Sequence, residues 1–307
     1  MPTEPIIERS MEAIVDLDAE PEQLVSGFQF TEGPVWLPDG TLLFSDIPAN
    51  RIYRWTPGAA QAEVYREPSG HSNGLTLDRE GRLIACEHDR RVSRSILSTS
   101  VPEARAAQPG SRAEADGSTT TLADRYQGKR LNSPNDIVVK SDGSIYFTDP
   151  PYGLPRQEEG RELDYNGVFR LAPDGTLTLL DDTFERPNGL AFSPDERTLY
   201  VDDSFKGHIR AFDVLPDGTL ANGRVFAELV DPDKAGVPDG MKVDVEGNVF
   251  CTGPGGIWVF DPSGRLLGRI VPPEQPANLA WGDADLKTLY ITARTGLYRL
   301  RTKTGGN

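Results

Sequence analysis

Short apolar runs alternate with polar turns along most of the chain. The runs are rich in β-branched and aromatic residues, follow a period of two, and come directly after turn sequences such as Pro38-Asp-Gly40 and Asp142-Gly143. Six of them stand out, at residues 41–44, 82–85, 144–147, 198–201, 248–251 and 288–291. Apart from a turn or two near the N-terminus, no segment has a helical pattern. The pattern predicts an all-β protein built from short antiparallel strands.

A recurring phrase precedes each of these runs, with Asn, Asp or Glu beside Gly or Pro at the start of an apolar strand. It occurs at Glu32, Asn73, Asn135, Asn188, Asp239 and Asn278. These positions are 41, 62, 53, 51 and 39 residues apart, and propeller blades repeat every roughly 40–50 residues. The repeat predicts a six-bladed β-propeller, since radial closure leaves only short, protected sheet edges. A β-sandwich needs fewer strands and explains the repeat poorly.

The last unit is one strand short. We expect a strand near residues 23–30 to complete the sixth blade and to latch the ring. The predicted organisation is an N-terminal extension over residues 1–22 followed by one propeller domain over residues 23–307. Length alone would favour two domains, but the repeat overrides that expectation.

Composition narrows the choice of partners and compartment. The net charge of −15, without a local basic cluster, argues against nucleic acid and anionic membrane surfaces as partners. The N-terminus lacks a basic region followed by an apolar core, and no segment is apolar enough to span a membrane, so a cytoplasmic protein is expected. Cys86 and Cys251 are predicted to be buried, reduced thiols rather than a disulfide.

Two segments interrupt the repeat. Residues 98–118 are small and polar, which predicts an exposed loop. Residues 150–166 begin with Pro150-Pro-Tyr-Gly153 and directly follow a strand that ends at Asp149. A loop leaving there can fold over the mouth of a central channel, so it either lines a substrate site or only connects two strands.

The repeated polar positions carry the candidate chemistry. Because the innermost strands of a propeller line its channel, equivalent residues of the six blades form a ring around one axis. All six side chains present oxygen, two of them as carboxylates, which favours calcium, whereas zinc prefers His or Cys. Asn-Gly and Asp-Gly are also strong turn signals, but Glu32 before Gly-Pro is not. We therefore expect a central Ca²⁺ site, with Zn²⁺, Mn²⁺ or Mg²⁺ as alternatives.

Four motifs resemble those of one protein family. They are Glu32-Gly-Pro-Val-Trp36, Ser133-Pro-Asn-Asp136, Arg186-Pro-Asn-Gly189 and Pro238-Asp-Gly-Met241. They resemble the SMP-30/gluconolactonase/luciferin-regenerating enzyme family, and the stretches 131–137 and 147–150 are similar to its bacterial gluconolactonases. The resemblance implies a lactonase that opens a sugar lactone such as glucono-1,5-lactone to the aldonic acid, with calcium in the channel of a six-bladed propeller.

The resemblance also implies roles for individual residues. Glu32, Asn188 and Asp239 would hold the metal, and Asn135 would contribute to the metal shell or to substrate binding. Asp239 would additionally act as the general base or orient the attacking water. Animal members of the family carry a sugar-binding Arg at the position of Ser133, so the identity of the sugar stays open.

Further residues are candidates for substrate binding. These are His71 and Asn73 near the predicted channel mouth, Glu87 and Asp149 at strand ends, and Tyr152 as a sugar-stacking wall. Strand-end carboxylates are also common turn formers, and His88 is interpreted as a surface or turn histidine.

Two alternative functions stay open on the sequence. One is a non-catalytic ligand-binding propeller with structural calcium, since fold does not imply function; the other is a phosphotriesterase-type hydrolase on the same metal. A serine hydrolase has no support, because the chain has no Gly-Xaa-Ser-Xaa-Gly motif. The oligomeric state is not predicted.

Overall fold

The fold is a ring of six four-stranded antiparallel sheets. The computed structural model describes residues 10–97 and 119–306, so the loop predicted at residues 98–118 lies outside the described residues. A short helix, α1, spans Met11–Ile14, and the first strand, β1, spans Glu22–Ser26. The all-β, six-bladed propeller predicted from the repeat is confirmed.

Blades one to three follow in chain order. Blade one consists of β2 to β5, at Thr31–Trp36, Leu42–Asp46, Arg51–Trp55 and Glu63–Arg66. Blade two consists of β6 to β9, at Ser72–Leu77, Leu83–Glu87, Arg91–Ser95 and Thr119–Ala123. A small hairpin, β10 and β11, occupies Arg125–Tyr126 and Lys129–Arg130. Blade three consists of β12 to β15, at Ile137–Val139, Ile145–Asp149, Asn166–Leu171 and Leu177–Phe184, with a 3-10 turn at Pro155–Gln157.

Blades four to six complete the ring. Blade four consists of β16 to β19, at Pro187–Phe192, Thr198–Asp203, His208–Val214 and Leu220–Glu228. Blade five consists of β20 to β23, at Met241–Val243, Val249–Gly253, Gly256–Phe260 and Leu266–Ile270. Blade six contributes β24 to β26, at Pro276–Gly282, Thr288–Ala293 and Gly296–Arg301.

The outermost strand of blade six is β1, from the other end of the chain. It pairs antiparallel with β26, with Glu22 opposite Arg299 and Ser26 opposite Gly296. The strand is shorter than the predicted 23–30, because Gly27 has a φ of 102° and turns the chain away. Phe28 then packs edge-on against Phe44 of blade one. β1 thus belongs to blade six, while the residues that follow it lead into blade one.

Removing residues 1–30 is expected to lower the melting temperature by about 10 °C or more, because β26 becomes an unpaired edge. A point variant tests the same contact: Val25→Asp puts a charge into the cluster of Val25, Leu42, Phe44 and Leu297. Ser26→Asp is the control, since Ser26 is the neighbour of Val25 in the strand and its side chain is exposed. Melting curves of the three proteins decide the matter, and an unchanged melting temperature after truncation contradicts the role of the strand.

Apolar clusters fill the space between neighbouring blades. One cluster joins blades five and six and includes Ile14 and Val15 from the N-terminal segment, next to Phe250, Leu289 and Tyr298. Cys86 and Cys251 are buried and are not bonded to each other, as predicted. Within residues 10–97 and 119–306, no helix is long and apolar enough to cross a membrane.

Candidate metal and substrate site

The ring residues lie where the innermost strands bulge. Pairing with the second strand shifts register in four blades, directly around Glu32, Asn73, Asn188 and Asn278. A bulge bends a strand and redirects a side chain. In the other two blades, Asn135 and Asp239 lie two residues before β12 and β20. Five of the six side chains are at most 5 % exposed, and Asp239 is partly buried.

The glycine after a ring residue makes room for the next blade. A Cβ on Gly33 would lie 2.0 Å from the Asn73 carbonyl oxygen, and one on Gly189 would lie 2.1 Å from that of Asp239. The amide of Gly189 instead donates to the Asp239 carbonyl at 3.1 Å. The glycine of the recurring phrase therefore brings adjacent ring residues close together, and any larger residue would push the blades apart.

The amide side chains form one half of a hydrogen-bonded ring. Asn73 Nδ2 donates to Asn135 Oδ1 at 2.6 Å, and Asn135 Nδ2 donates to Asn188 Oδ1. Asn188 Nδ2 donates in turn to the Ser204 hydroxyl at 3.0 Å. The structure thus brings Asn73, Asn135 and Asn188 together, and one continuous chain of hydrogen bonds joins their side-chain amides.

The carboxyl groups form the other half. Asp239 is hydrogen-bonded to Asn188 and lies next to Glu32, and Glu32 Oε2 accepts from Asn278 Nδ2 at 3.0 Å. Burial, and after it the nearby Asp136 carboxyl, raise the pKa of Glu32 to about 7. Burial and the charge of Glu32 hold the pKa of Asp239 well above its ordinary value.

This donor set fits a hard divalent cation. Two neighbouring carboxyls that repel each other ionise together more readily beside a positive charge, and the amide oxygens of Asn188 and Asn135 lie next to them in the ring. Carboxylate and amide oxygens are the ligands that calcium selects. No cluster of three or more His, Cys, Asp or Glu side chains suited to a metal occurs among the residues that the structure describes. A cation here would therefore depend on amide ligands.

Two further carboxyls lie behind the ring, where the sequence did not indicate a site. Asp136 and Asp202 are almost fully buried, and Asp136 Oδ2 and Asp202 Oδ1 have no hydrogen-bond partner. Burial raises the pKa of both groups. Asp136 follows its ring residue directly, at the position where four other blades have Gly, and its Oδ1 would lie 2.6 Å from a Cβ on Gly74. Aligning the six repeats could have identified it.

His88 lies in the turn that follows β7, as interpreted from the sequence, and its partly buried side chain reaches the ring. Its Nε2 is 3.3 Å from Asn73 Nδ2, and its side chain also bonds to Asn135. Burial lowers the pKa of His88 to about 4, so the imidazole is neutral at neutral pH. It can accept or donate one hydrogen bond without adding charge.

The loop that begins at Pro150 passes over the ring. The Ser133 hydroxyl fixes it by donating to the Pro150 carbonyl at 2.6 Å and accepting from the Gly153 amide at 2.8 Å. Tyr152 is thereby placed against Ser204, to which its hydroxyl is hydrogen-bonded. Burial raises the pKa of Tyr152 to about 12, so the phenol keeps its proton and can serve as a donor.

Gly153→Ala is expected to raise, at least about fivefold and with little effect on stability, the KM for the lactone that the sequence motifs imply as substrate. A Cβ at this position would lie 2.5 Å from His88 Cβ and 2.9 Å from Ser133 Cβ, so the loop and Tyr152 must move outward. Glu159→Ala, at an exposed position of the same loop, is a control for alanine in this segment. Steady-state kinetics and melting curves of both variants test this, and equal KM values contradict a role of the loop at the site.

Three predicted substrate-binding residues are not brought to the ring. Glu87 is fully buried and bound by Arg66, Arg91 and Ser93. Asp149 Oδ2 accepts from the Asn132 amide at 2.7 Å, and burial raises its pKa to about 7. Both carboxyls therefore face away from the channel.

Asp149 follows a pattern that other blades share. Asp46 accepts from the amides of Gln29 and Phe30, and Asp203 accepts from those of Glu185 and Arg186. A strand-end aspartate thus anchors the loop that enters the innermost strand.

His71 is the third predicted substrate-binding residue that is not brought to the ring. It lies on the rim with a φ of 51°, and its side chain is 44 % exposed and 2.9 Å from Asp89.

The fold and this ring define the chain as a six-bladed propeller with an oxygen-rich site at its axis. The family model described as SMP-30/Gluconolactonase/LRE-like region matches residues 30–295. The chain belongs to this family.

Individual relatives agree with the family match. The chain is 38 % identical to a gluconolactonase of Zymomonas mobilis, over 96 % of this chain and 85 % of the relative. It is 30 % identical to a pentonolactonase of Haloferax volcanii, over 86 % of this chain and 81 % of the relative. A solved gluconolactonase structure from Xanthomonas campestris superimposes with a TM-score of 0.78 at 34 % identity, covering 98 % of this chain and 99 % of that one.

Proposed function

We propose that the protein is a lactonase that hydrolyses a sugar lactone, and that it depends on a divalent cation, with calcium as the first choice. The observation that carries the proposal is the pair of neighbouring carboxyls at Glu32 and Asp239, joined to amide side chains at the propeller axis. Relatives named gluconolactonase and pentonolactonase support the reaction class.

Four residues would hold the cation: Glu32, Asp239, Asn188 and Asn135. When bound, a divalent cation supplies a Lewis acid that polarises a carbonyl oxygen and stabilises the oxyanion formed on addition of water. Asp239 serves as general base toward the attacking water or orients it. A carboxylate beside a cation is a weak base, and it suffices here because a δ-lactone is already reactive.

The neutral groups around the ring would bind the sugar. The Tyr152 hydroxyl is bonded to Ser204, next to Asn188, and the His88 imidazole lies beside Asn73 and Asn135. We assign these groups, with Asn73 and Asn135, to hydrogen bonds with sugar hydroxyls. Since Tyr152 and His88 are both uncharged at neutral pH, they favour a neutral polyhydroxy lactone over an anionic one.

The experiment is a proton-release assay on glucono-1,5-lactone before and after removal of bound metal with a chelator, verified by elemental analysis. We expect activity to fall by at least about 100-fold and to return on adding Ca²⁺. Mg²⁺, Mn²⁺ and Zn²⁺ are added in parallel. Undiminished hydrolysis after verified metal removal would falsify the metal mechanism.

A substrate panel separates the alternatives, with hexono- and pentonolactones beside a phosphotriester. Faster turnover of the phosphotriester than of every lactone contradicts the lactonase assignment. Metal binding without turnover of any substrate indicates a non-catalytic ligand-binding propeller. The ratio of kcat/KM values between six-carbon and five-carbon lactones identifies the preferred sugar.

A further inference from the structure

A second ring of side chains lies below the first. It is formed by the residues three positions after each ring residue, and all six line a cavity of about 630 Å³ at the other end of the channel. Its members are Val35, Thr76, Val138, Ala191, Lys242 and Trp281. Five of the six are uncharged, so Lys242 is the exception at a position where the blades otherwise use apolar or small polar residues.

Lys242 is connected to the candidate metal ligands through one residue. Its Nζ donates to the Met241 carbonyl at 2.9 Å and to Asn278 Oδ1 at 3.3 Å. Asn278 is 2 % exposed, and its Nδ2 donates to Glu32 Oε2 at 3.0 Å. The ammonium group and the Leu279 amide, which also donates to Oδ1 at 2.8 Å, together fix which end of the Asn278 amide faces Glu32, because only the amide oxygen can accept from them.

Lys242 is also the cation that acts on the buried carboxyls. Its charge lowers the pKa of both Glu32 and Asp136, against the larger effect of burial. Glu32, Asp239, Asp136 and Asp202 lie close enough to raise the pKa of one another. A single ammonium group cannot neutralise the charge of four carboxylates. Unlike a metal ion, however, it is a covalent part of the protein and is always present in the site.

We propose that Lys242 is a fixed positive charge in the floor of the site, which holds Asn278 and Glu32 in place and weakens the binding of a divalent cation at the ring. This inference rests on the cation dependence proposed above. Like charges repel strongly where water is excluded, so Lys242 competes with the metal for the same carboxyls. It is a positioning residue that sets metal affinity, and it does not touch the lactone.

The test uses the full-length protein after chelator treatment, titrated with CaCl₂ by isothermal calorimetry. Lys242→Gln removes the charge and keeps a hydrogen-bond donor, whereas Lys242→Arg keeps the charge. Arg79→Gln is the matched control, because Arg79 lines the same cavity but lies three positions further from the ring. We expect Lys242→Gln to bind Ca²⁺ at least tenfold more tightly, and the other two variants to stay within twofold of the wild type.

Thermal unfolding supplies a second readout. Without metal, Lys242→Gln should melt below the wild type at pH 7.5, because the carboxyls lose their balancing cation; with saturating Ca²⁺ the gap should close. A lysine with only a packing role would lower the melting temperature in both states and would not tighten binding.

Each outcome decides the matter. If the wild type binds Ca²⁺ and Lys242→Gln binds it equally or more weakly, the inference is wrong and the proposed function stands. If only Lys242→Gln binds Ca²⁺, the inference holds and the cation dependence of the natural protein is wrong. If neither binds, both are wrong.

Discussion

Asp239→Asn is expected to reduce kcat/KM for glucono-1,5-lactone by at least about 10³-fold, because the change removes both a charged metal ligand and the candidate general base. The side chain keeps its shape, so its hydrogen bond with Asn188 can be retained. The measurement is steady-state hydrolysis at saturating Ca²⁺, together with calorimetric titration of the cation.

The same substitution should stabilise the metal-free protein. Burial and the charge of Glu32 raise the pKa of Asp239 in the folded state, so a neutral amide relieves an unfavourable pair. Asp213→Asn is the control, since Asp213 is an exposed partner of Arg224. A variant that loses activity and gains metal-free stability indicates a functional carboxyl; loss of both indicates a structural one, and full activity excludes Asp239 from catalysis.

Calcium should also remove most of the pH dependence of stability between about pH 4.5 and 7. The pKa of Glu32 is raised from 4.5 to about 7 in the folded protein. Between these values the folded state binds more protons than the unfolded state, so stability of the metal-free protein falls as pH rises. The loss from Glu32 alone is on the order of 3 kcal/mol. Below pH 4.5 the contribution of Glu32 to the pH dependence vanishes, because its carboxyl is protonated in both the folded and the unfolded state.

A bound cation offsets this loss of stability. It favours the ionised carboxyls, and it stabilises the fold increasingly as pH rises. Melting temperatures are measured from pH 4.5 to 7.5 with chelator and with excess Ca²⁺, and the difference between the two series cancels contributions from other groups. We expect the difference to grow with pH. A constant difference contradicts the assignment of Glu32 as a ligand.

The ring could be predicted from the sequence because its residues recur at one place in each repeat. The fold followed from the same spacing, since strands with period two and a turn before each leave few other arrangements. Asn73 and Asn278 illustrate how far this extends: the repeat placed them in the ring, and the structure adds that Asn73 bonds to Asn135 and Asn278 to Glu32.

The residues around the ring were harder to predict, because their positions depend on contacts between distant segments. His88 is held at the ring by the loop that contains Gly153, about 65 residues further along the chain. A strand-end acid such as Asp149 can turn toward the channel or toward the preceding loop, and sequence periodicity does not distinguish the two. Only the backbone amide of Asn132, which bonds to Asp149, decides between them.

The pairing of β1 with the last blade has a consequence for biosynthesis. Glu22 pairs with Arg299, and Glu32 bonds to Asn278 of blade six, so both contacts wait until translation has delivered the last blade. A nascent chain on the ribosome therefore has an incomplete carboxyl pocket, and contacts of such long sequence separation form late. Metal loading would then follow the synthesis of blade six, and the free energy of metal binding would stabilise the closed ring rather than direct earlier folding steps.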